Sequence, residues 1–571
     1  MRRATFRSMA VDGREQLLIL SDFNAEVLAG LASNDARGPA LSAKTAGIGR
    51  VIPTLLDPHA ACWTDRPSLF VWMRPEAASE SFARALAMES IDPGQALREV
   101  DVLADAVLAA SARARATFVA TFHLPACHRG YGMLDHAANL GVRALLARMN
   151  ARLAERLAAR PGIHLLDAPR WFECREPVNS KMWYLAKVPY SNDVFKAAVA
   201  DVKAALRGLR GEARKLVICD LDDTLWGGIV GDIGWERLRL GGHDAVGEAL
   251  ADFQRGLKAL LRRGVILAIV SKNTESVALE AIERHPEMVL RRSDFAGWRI
   301  NWSDKARNVA ELLRELNLGP QSAVFLDDNP VERARVAEAL PEVLVPELPK
   351  DKMLYPEFLR RLDCFDAPAL SDEDRERAAM YGAERERRVA LESAQAVGSL
   401  DDWLETIELK VEAEPLNEAN RQRTAQLLNK TNQMNLRTRR MTEVELSDWA
   451  HAPTRRMWTF RVADKFGDSG LTGIASLELD HDTALVADFV LSCRVMGKRV
   501  EETIVHQLVE GARALGASRL VAHYEPTKKN APCLEFWQRS GFERSGERVF
   551  TWDLSRPYPK PRAVELRVAA G

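Results

Sequence analysis

A chain of 571 residues is long enough for three or four domains. Its 79 basic and 80 acidic residues nearly cancel, which excludes nucleic-acid binding driven by a large excess of positive charge. No apolar run approaches membrane-spanning length, the N-terminus lacks the apolar core of a signal peptide, and the seven cysteines are scattered. We therefore expect a cytoplasmic protein with reduced cysteines and no membrane partner.

Residues 1–210 predict an α/β domain. Short apolar runs alternate with helical patterns, which is typical of a parallel sheet covered on both faces. The predicted strands lie at 17–20, 69–73, 117–122 and 163–166, and the clearest helices at 97–114 and 138–158.

Ser21 directly follows the first of these strands. The layout resembles SGNH-hydrolase-like domains, which implies that Ser21 holds the position of their nucleophile. The Asp-x-x-His motif of active hydrolases is not evident, since no histidine follows Asp193 at the required spacing. A serine hydroxyl without a base is a weak nucleophile, so we expect a non-catalytic domain.

The segment from Asp220 to Thr224 carries the clearest chemical signal. It ends the apolar run 216–219 and delivers Asp220 and Asp222 into a glycine turn. Ionised carboxylates at the end of a buried strand need a cation or hydrogen-bond donors, and Mg²⁺ is the usual partner of such oxygen ligands. The pattern indicates phosphoryl chemistry, with one carboxylate as nucleophile and the other as proton donor.

Three further elements follow in order. Ser271 ends the apolar run 264–271, Lys305 precedes an amphipathic helix, and Asp327 and Asp328 end the run 323–328. In open α/β sheets ligands bind at the carboxyl ends of the strands. There the carboxylates would hold the metal, the hydroxyl would bond a phosphate oxygen, and the lysine would offset negative charge.

These four motifs resemble those of the haloacid dehalogenase (HAD) superfamily over residues 212–350. The resemblance implies that Asp220 attacks phosphorus, that Asp222 is the general acid and base, and that Thr224 positions the loop. Ser271 and Lys305 match the second and third motifs. We assign the catalytic domain to residues 211–350.

The fourth motif of that superfamily implies a metal site. Asp327 and Asp328 would hold Mg²⁺ together with Asp220 and the carbonyl of Asp222. The segment 225–240 resembles the flap of the superfamily and is too short for a large cap domain. A large substrate, or another domain, would be needed to close such a site.

Residues 351–400 carry dense charges of both signs, which predicts an exposed helical connector. The segment 426–436, rich in amides and hydroxyls, predicts a polar loop whose side chains bond its own backbone. We assign residues 401–571 to a further domain.

In that domain a strand at 487–493 precedes Arg494, Gly497 and Lys498 and then a helix. A strand, a glycine turn and a helix N-terminus form a cradle of N–H groups for a pyrophosphate. With the segment 534–542, this resembles the GNAT acyltransferase fold, an α+β fold, although Arg499 replaces the last small residue of its signature. The resemblance implies that CoA, or the phosphopantetheine of a carrier protein, binds there.

The domain order and the segments 220–228, 301–305, 325–333 and 430–436 resemble FkbH-like proteins, HAD phosphatases of subfamily IIIC. The resemblance implies a Mg²⁺-dependent enzyme that removes phosphate from 1,3-bisphosphoglycerate, a phosphorylated three-carbon metabolite. The glyceryl group would pass to the thiol of an acyl carrier protein in polyketide biosynthesis, often for methoxymalonyl units. Other FkbH-like chains occur with surface-polysaccharide genes.

Acyl transfer needs a thiol, either that of the carrier or one on the enzyme. Some relatives place a cysteine where this chain has Leu221. The candidates here are Cys493, at the end of a strand, and Cys219, whose side chain should point to the opposite face from Asp220.

Two alternatives to glyceryl transfer stay open. The chain could be a phosphatase of a small phosphorylated metabolite or sugar. It could also be an interaction protein with an inactive site, although the complete set of motif residues argues against this.

Overall fold

The computed structural model describes residues 14–63, 66–124, 128–158, 160–173, 180–242, 244–368, 400–527 and 529–569. The chain divides between Arg207 and Gly208 into two compact units. Both units contain helices and strands, which confirms the predicted multi-domain α/β class. None of the helices in the described ranges has the length and apolar content needed to cross a bilayer.

The first unit is built on a five-stranded parallel sheet of order β2-β1-β3-β4-β5. Its strands are β1 (Glu15–Ser21), β2 (Leu41–Thr45), β3 (Ser68–Trp72), β4 (Thr117–Ala120) and β5 (Ile163–Leu166). The edge strand β2 escaped prediction because only one of its residues is buried.

Helices cover this sheet. Two long helices, α5 (Pro93–Ser111) and α6 (Val142–Leu157), bury apolar residues at helical spacing, such as Val100, Leu103 and Val107 of α5. The helices are α1 (Glu26–Asn34), α2 (Val51–Leu56), α3 (Pro75–Ala78), α4 (Glu80–Leu86), α5 (Pro93–Ser111), α6 (Val142–Leu157), α7 (Ser180–Ala186) and α8 (Asn192–Leu209).

Ser21 is buried at the carboxyl end of β1. Its hydroxyl donates to the carbonyl of Phe23 at 2.7 Å. Tyr190 stacks on Trp72 with ring centroids 4.9 Å apart, so aromatic side chains fill part of this sheet edge. These contacts agree with a non-catalytic domain, which stays a prediction.

The second unit begins with a four-stranded parallel sheet of order β8-β7-β6-β9. Its strands are β6 (Leu216–Cys219), β7 (Ile266–Ser271), β8 (Phe295–Ile300) and β9 (Ala323–Leu326). Its helices are α9 (Val230–Ile233), α10 (Ala245–Arg262), α11 (Glu275–Arg284), α12 (Lys305–Glu315), α13 (Pro330–Ala339) and α14 (Tyr355–Arg360).

The core of this sheet extends past the predicted boundary at residue 350. Tyr355, Leu359 and Phe365 are buried in it, so the start of the predicted connector belongs to the catalytic domain. Burial of these apolar side chains explains the difference. The charged part of the predicted connector, 369–399, lies outside the described residues.

The C-terminal domain is built on a mostly antiparallel sheet of order β16-β17-β15-β14-β13-β12-β10-β18, with β11 also paired to β14. Its strands are β10 (Lys410–Pro415), β11 (Met434–Asn435), β12 (Arg455–Asp464), β13 (Gly467–Asp480), β14 (Thr483–Leu491), β15 (Arg519–His523), β16 (Glu543–Arg544), β17 (Val549–Asp553) and β18 (Glu565–Val568). Its helices are α15 (Leu400–Thr406), α16 (Glu418–Lys430), α17 (Glu443–Ala450), α18 (Val500–Ala514) and α19 (Ala531–Arg539).

The polar segment 426–436 is not a loop throughout. Residues 426–430 complete α16, which a capping box formed by Asn417 and Asn420 begins. Leu427 and Leu428 are buried in the core, and this burial overrides the poor helix propensity of the neighbouring amides.

Candidate active site

The carboxyl ends of all four strands of the catalytic sheet contribute to one polar cluster. Asp220 follows β6, Ser271 ends β7, and Asp327 follows β9. Lys305 is the first residue of α12, which the loop after β8 leads into. The structure therefore brings together residues that the sequence separates by more than one hundred positions.

Lys305 lies between two carboxylates inside this cluster. Its Nζ donates to Asp327 Oδ2 at 2.6 Å and lies 3.1 Å from Asp220 Oδ2. All three side chains are buried. Two ionised carboxylates thus share one ammonium group in a place where water does not screen them.

The pKa values show that this charge balance is incomplete. Burial raises the pKa of Asp220, and the charge of Lys305 and a hydrogen bond from Ser271 offset this only in part. Burial also raises the pKa of Asp327, and the charge of Asp220 adds to the effect. Burial alone would lower the pKa of Lys305, but the two carboxylates outweigh it and raise that pKa. The lysine stays charged, and the carboxylates favour a second cation.

A divalent metal ion fits this cluster. One ligand oxygen from each of Asp220, Asp327 and Asp328 can be chosen so that all lie within 4.8 Å of one another. Oδ1 of Asp220 is buried without a hydrogen-bond partner in the described part of the chain, which leaves an oxygen for an ion. Carboxylate oxygens are the ligands that Mg²⁺ prefers.

The side-chain oxygens of Asp222 accept hydrogen bonds from three donors. Trp226 Nε1 and the N–H of Val230 donate to its Oδ1 at 2.8 and 3.1 Å, and Asn273 Nδ2 donates to its Oδ2 at 2.8 Å. Burial raises the pKa of Asp222, although the three hydrogen bonds to its oxygens oppose this shift. Three hydrogen bonds therefore hold the side chain of Asp222 in one orientation.

Thr224 connects the first and fourth motifs. Its hydroxyl accepts a hydrogen bond from the N–H of Asp328 at 3.1 Å, and the side chain is fully buried. Asp223 adopts a left-handed backbone conformation with φ of 56°. Its Oδ1 accepts from Gly228 N at 2.9 Å and from Lys352 Nζ, which fixes the turn into the flap.

Three residues of the site were not predicted from the sequence. Asn273 orients Asp222, Lys352 holds Asp223, and Arg333 Nη1 donates to the carbonyls of Asp327 and Asp328 at 2.7 Å. Asn273 follows Ser271 closely, so its position after a strand was a usable signal. No comparable signal marks Lys352, because it lies far from every motif in the sequence.

Neither candidate cysteine is shown to reach the carboxylates. Cys219 lies in the hydrophobic core on the other side of β6, with Val217 and Leu221, and burial raises the pKa of its thiol. This agrees with strand alternation and removes Cys219 as a nucleophile. The side chain of Cys493 lies outside the described residues, so its proposed role stays a prediction.

Arg494, Gly497 and Lys498 precede α18, and their role in binding a cofactor stays a prediction. Lys498 Nζ donates to the carbonyl of Arg494 at 3.2 Å. The N–H of Gly497 donates at 2.7 Å to Glu501 Oε1, a side chain that the sequence analysis did not select.

No protein family matches the chain by sequence, and no curated protein matches it. Among solved structures, the chain is similar to the N-terminal part of BF1531 from Bacteroides fragilis, a structure that contains a phosphatase domain in complex with Mg. The two are 27% identical with a TM-score of 0.57, over 62% of this chain and 95% of the other.

Other similarities involve acetyltransferases. A putative phosphinothricin N-acetyltransferase is 17% identical, with a TM-score of 0.19 over 26% of this chain and 99% of its own. The spermidine/spermine N-acetyltransferase SpeG from Vibrio cholerae is 15% identical, with a TM-score of 0.20 over 27% and 95%.

The buried carboxylates, Lys305 and the hydrogen-bonded Asp222 lie at one edge of the sheet. Sites with several perturbed pKa values in one cluster are characteristic of enzymes. The chain is an enzyme.

Proposed function

We propose that this chain is an FkbH-like phosphatase and acyltransferase that uses Mg²⁺. The observation that carries the proposal is the shared ammonium of Lys305 between Asp220 and Asp327, beside an unpartnered oxygen of Asp220. The likeness to the Mg-bound phosphatase structure supports the same chemistry. When bound, Mg²⁺ would stabilise negative charge on the phosphate oxygens.

The proposed removal of phosphate uses four of these side chains. An Asp220 oxygen would attack phosphorus and form a new P–O bond while the ester P–O bond breaks. Asp222 would give its proton to the departing alkoxide and then take one from the water that hydrolyses the aspartyl phosphate. Lys305 and the Ser271 hydroxyl would stabilise charge on the transferring group.

The substrate that we propose is 1,3-bisphosphoglycerate, which carries an acyl phosphate and a phosphate ester. Attack of Asp220 on the acyl phosphate would release a carboxylate and lose the activated carbonyl. We therefore assign Asp220 to the ester phosphate. A carrier thiolate would displace the acyl phosphate, so that a C–S bond forms, the C–O bond breaks and inorganic phosphate leaves.

The test is incubation of the full chain with 1,3-bisphosphoglycerate, Mg²⁺ and a holo acyl carrier protein, with the carrier measured by mass spectrometry. We expect a glyceryl adduct with the wild type. Asp220→Asn should leave the phosphorylated glyceryl adduct on the carrier, because thiol acylation does not use Asp220. An unmodified carrier in both reactions would refute the carrier-dependent function.

A metabolite phosphatase is the second candidate. It is favoured by the core position of Cys219, because an enzyme thioester at the carboxylates would need a thiol there and Cys219 does not supply one. A panel of phosphorylated metabolites and sugars without carrier distinguishes the two. Rapid phosphate release from one panel member, together with an unmodified carrier, would select this candidate.

A further inference from the structure

The sheet of the C-terminal domain opens between two neighbouring strands. β14 and β15 run parallel and pair only from Thr483 to Val486 of β14, although β14 continues to Leu491. Beyond Val486, the edge of β14 that faces β15 would present free N–H and C=O groups. Such an edge can pair with any extended chain that carries amide groups, and the pantetheine arm of CoA is one.

The protein fills this opening with its own strand β11. β11 pairs antiparallel with the last two residues of β14, and the N–H of Leu436 donates to Phe489 O at 3.1 Å. On the other side, the N–H of Glu525 donates to Leu436 O at 3.0 Å. Backbone hydrogen bonds from one segment therefore connect both sides of the opening.

A buried asparagine holds this segment in place. Asn530 is fully buried, and its Nδ2 donates to the carbonyls of Asn435 and Glu525, both at 2.9 Å. Its Oδ1 accepts from Tyr524 Oη at 2.8 Å and from Thr527 N at 2.7 Å. Displacing β11 would leave buried polar groups without partners, which is costly.

The N-terminus of α18 is occupied in a similar way. The N–H of Gly497, which would face a pyrophosphate, donates to the buried carboxylate of Glu501. Oε2 of Glu501 is also buried and has no hydrogen-bond partner within the described ranges, so this carboxyl group, where it is ionised, would repel an anion at the same place. Arg499 forms ion pairs with Asp401 and Glu502.

We propose that the C-terminal domain does not bind CoA, because β11 takes the place of the pantetheine arm and Glu501 takes the place of the pyrophosphate. CoA therefore does not fit the residues that the GNAT resemblance selected. Any thiol used for acyl transfer has to come from elsewhere, and the proposal does not depend on which substrate the catalytic domain takes.

The same segment connects the C-terminal domain to the catalytic domain. The carbonyl of Lys430, four residues before β11, accepts from Lys215 Nζ at 3.0 Å, just before β6. A Cβ atom on Gly211 would lie 2.0 Å from Asn429 O, so the backbones are in close contact there. The filled opening thus belongs to the structural link between the two domains.

Binding can be measured without turnover, so the outcome is independent of the proposed function. We expect no heat signal when CoA or acetyl-CoA is titrated into the full chain up to about 1 mM. A dissociation constant of about 1 mM corresponds to a binding free energy of about −4 kcal/mol. In hydrogen exchange, the amides of Leu436 and Glu525 should exchange slowly and equally with and without CoA. A dissociation constant below about 100 μM, or faster exchange of these amides with CoA, would overturn the proposal.

Glu501→Ala separates the two parts of the proposal. Because β11 remains in place, we expect this variant to bind no CoA either, after its fold has been checked by urea unfolding. Binding of CoA by Glu501→Ala would show that the carboxylate alone excludes the cofactor and would overturn the role of β11.

Discussion

Lys305 Nζ donates to Asp327 Oδ2 at 2.6 Å in the interior of the catalytic domain. We expect this contact to set how strongly the stability of the protein depends on a bound metal ion. The lysine is the cation that balances the buried carboxylates in this structure. Removing it would leave Asp220 and Asp327 facing each other without compensation.

We expect Lys305→Met to lower the free energy of unfolding by about 3–5 kcal/mol in the presence of EDTA, because buried carboxylates lose their partner. Added Mg²⁺ should stabilise this variant more than it stabilises the wild type, since the metal replaces the missing charge. Urea unfolding with and without Mg²⁺ measures both effects. Arg307→Met, on the exposed face of the same helix, is the control and should respond to Mg²⁺ like the wild type. Equal Mg²⁺ effects in all three proteins would contradict a metal site at these carboxylates.

Asn273→Ala should reduce kcat without changing the fold. Asn273 donates one of three hydrogen bonds to Asp222, and a hydrogen bond to a charged group contributes about 1.5–3 kcal/mol, or about 10- to 100-fold in rate. The loss should be large for an alkyl phosphate, whose leaving group needs a proton, and small for an aryl phosphate, whose leaving group does not. Steady-state kinetics with both substrates tests this. Equal losses for the two would argue against a positioning role in proton transfer.

Glu501 should make stability depend on pH. Burial raises the pKa of Glu501 to about 7 from its ordinary value of 4.5, and the hydrogen bond from Gly497 offsets this only in part. The neutral form of Glu501 therefore contributes its full share to the free energy of unfolding below pH 4.5. This contribution is lost as the pH rises through about 7. Relative to Glu501→Gln, the wild type should lose roughly 3 kcal/mol across this range.

Urea unfolding of wild type and Glu501→Gln from pH 4.5 to 8 measures this difference. Gln507→Ala, a buried polar and non-titrating position on the same helix, is the control, and its difference from the wild type should not vary with pH. A constant difference for Glu501→Gln as well would show that the carboxylate does not carry uncompensated charge.

Three large apolar side chains are exposed in segments that follow strands of the catalytic sheet. Ile229, Trp302 and Val331 are 49%, 73% and 71% exposed, and they follow the carboxyl ends of β6, β8 and β9. Aromatic side chains such as Trp302 are enriched where a protein binds another macromolecule. Under the proposed function this macromolecule is the carrier protein.

Trp302→Ala should raise the KM for a holo carrier protein by about tenfold, which corresponds to about 1.4 kcal/mol, because aromatic side chains contribute strongly to interfaces. The hydrolysis of a small phosphate ester should not change. Val444→Ala, an exposed apolar position of the C-terminal domain, serves as the control. A parallel loss with both substrates would show that Trp302 supports the site itself and not carrier binding.

Much of the site could be predicted from local sequence. Apolar runs that end in Asp220, Ser271 and Asp327 indicate buried parallel strands, and the carboxyl ends of parallel strands lie on one edge. Alternation along β6 also predicted that Cys219 would point away from Asp220. These inferences succeed because burial periodicity and strand polarity are properties of the local chain.

Other features depended on segments that meet only in the folded protein. Asp223 and Lys352 are 129 residues apart, and no local pattern links them. The pairing of β11 with β14 was equally invisible, because a polar segment carries no signal for the strand edge that it will fill. The local sequence is enough to place the chemical groups at the strand ends. The donors that reach Asp222 and Asp223, and the closure of the opening beside β14, depend on tertiary structure. Hydrogen bonds between distant segments form only when core packing brings their backbones together.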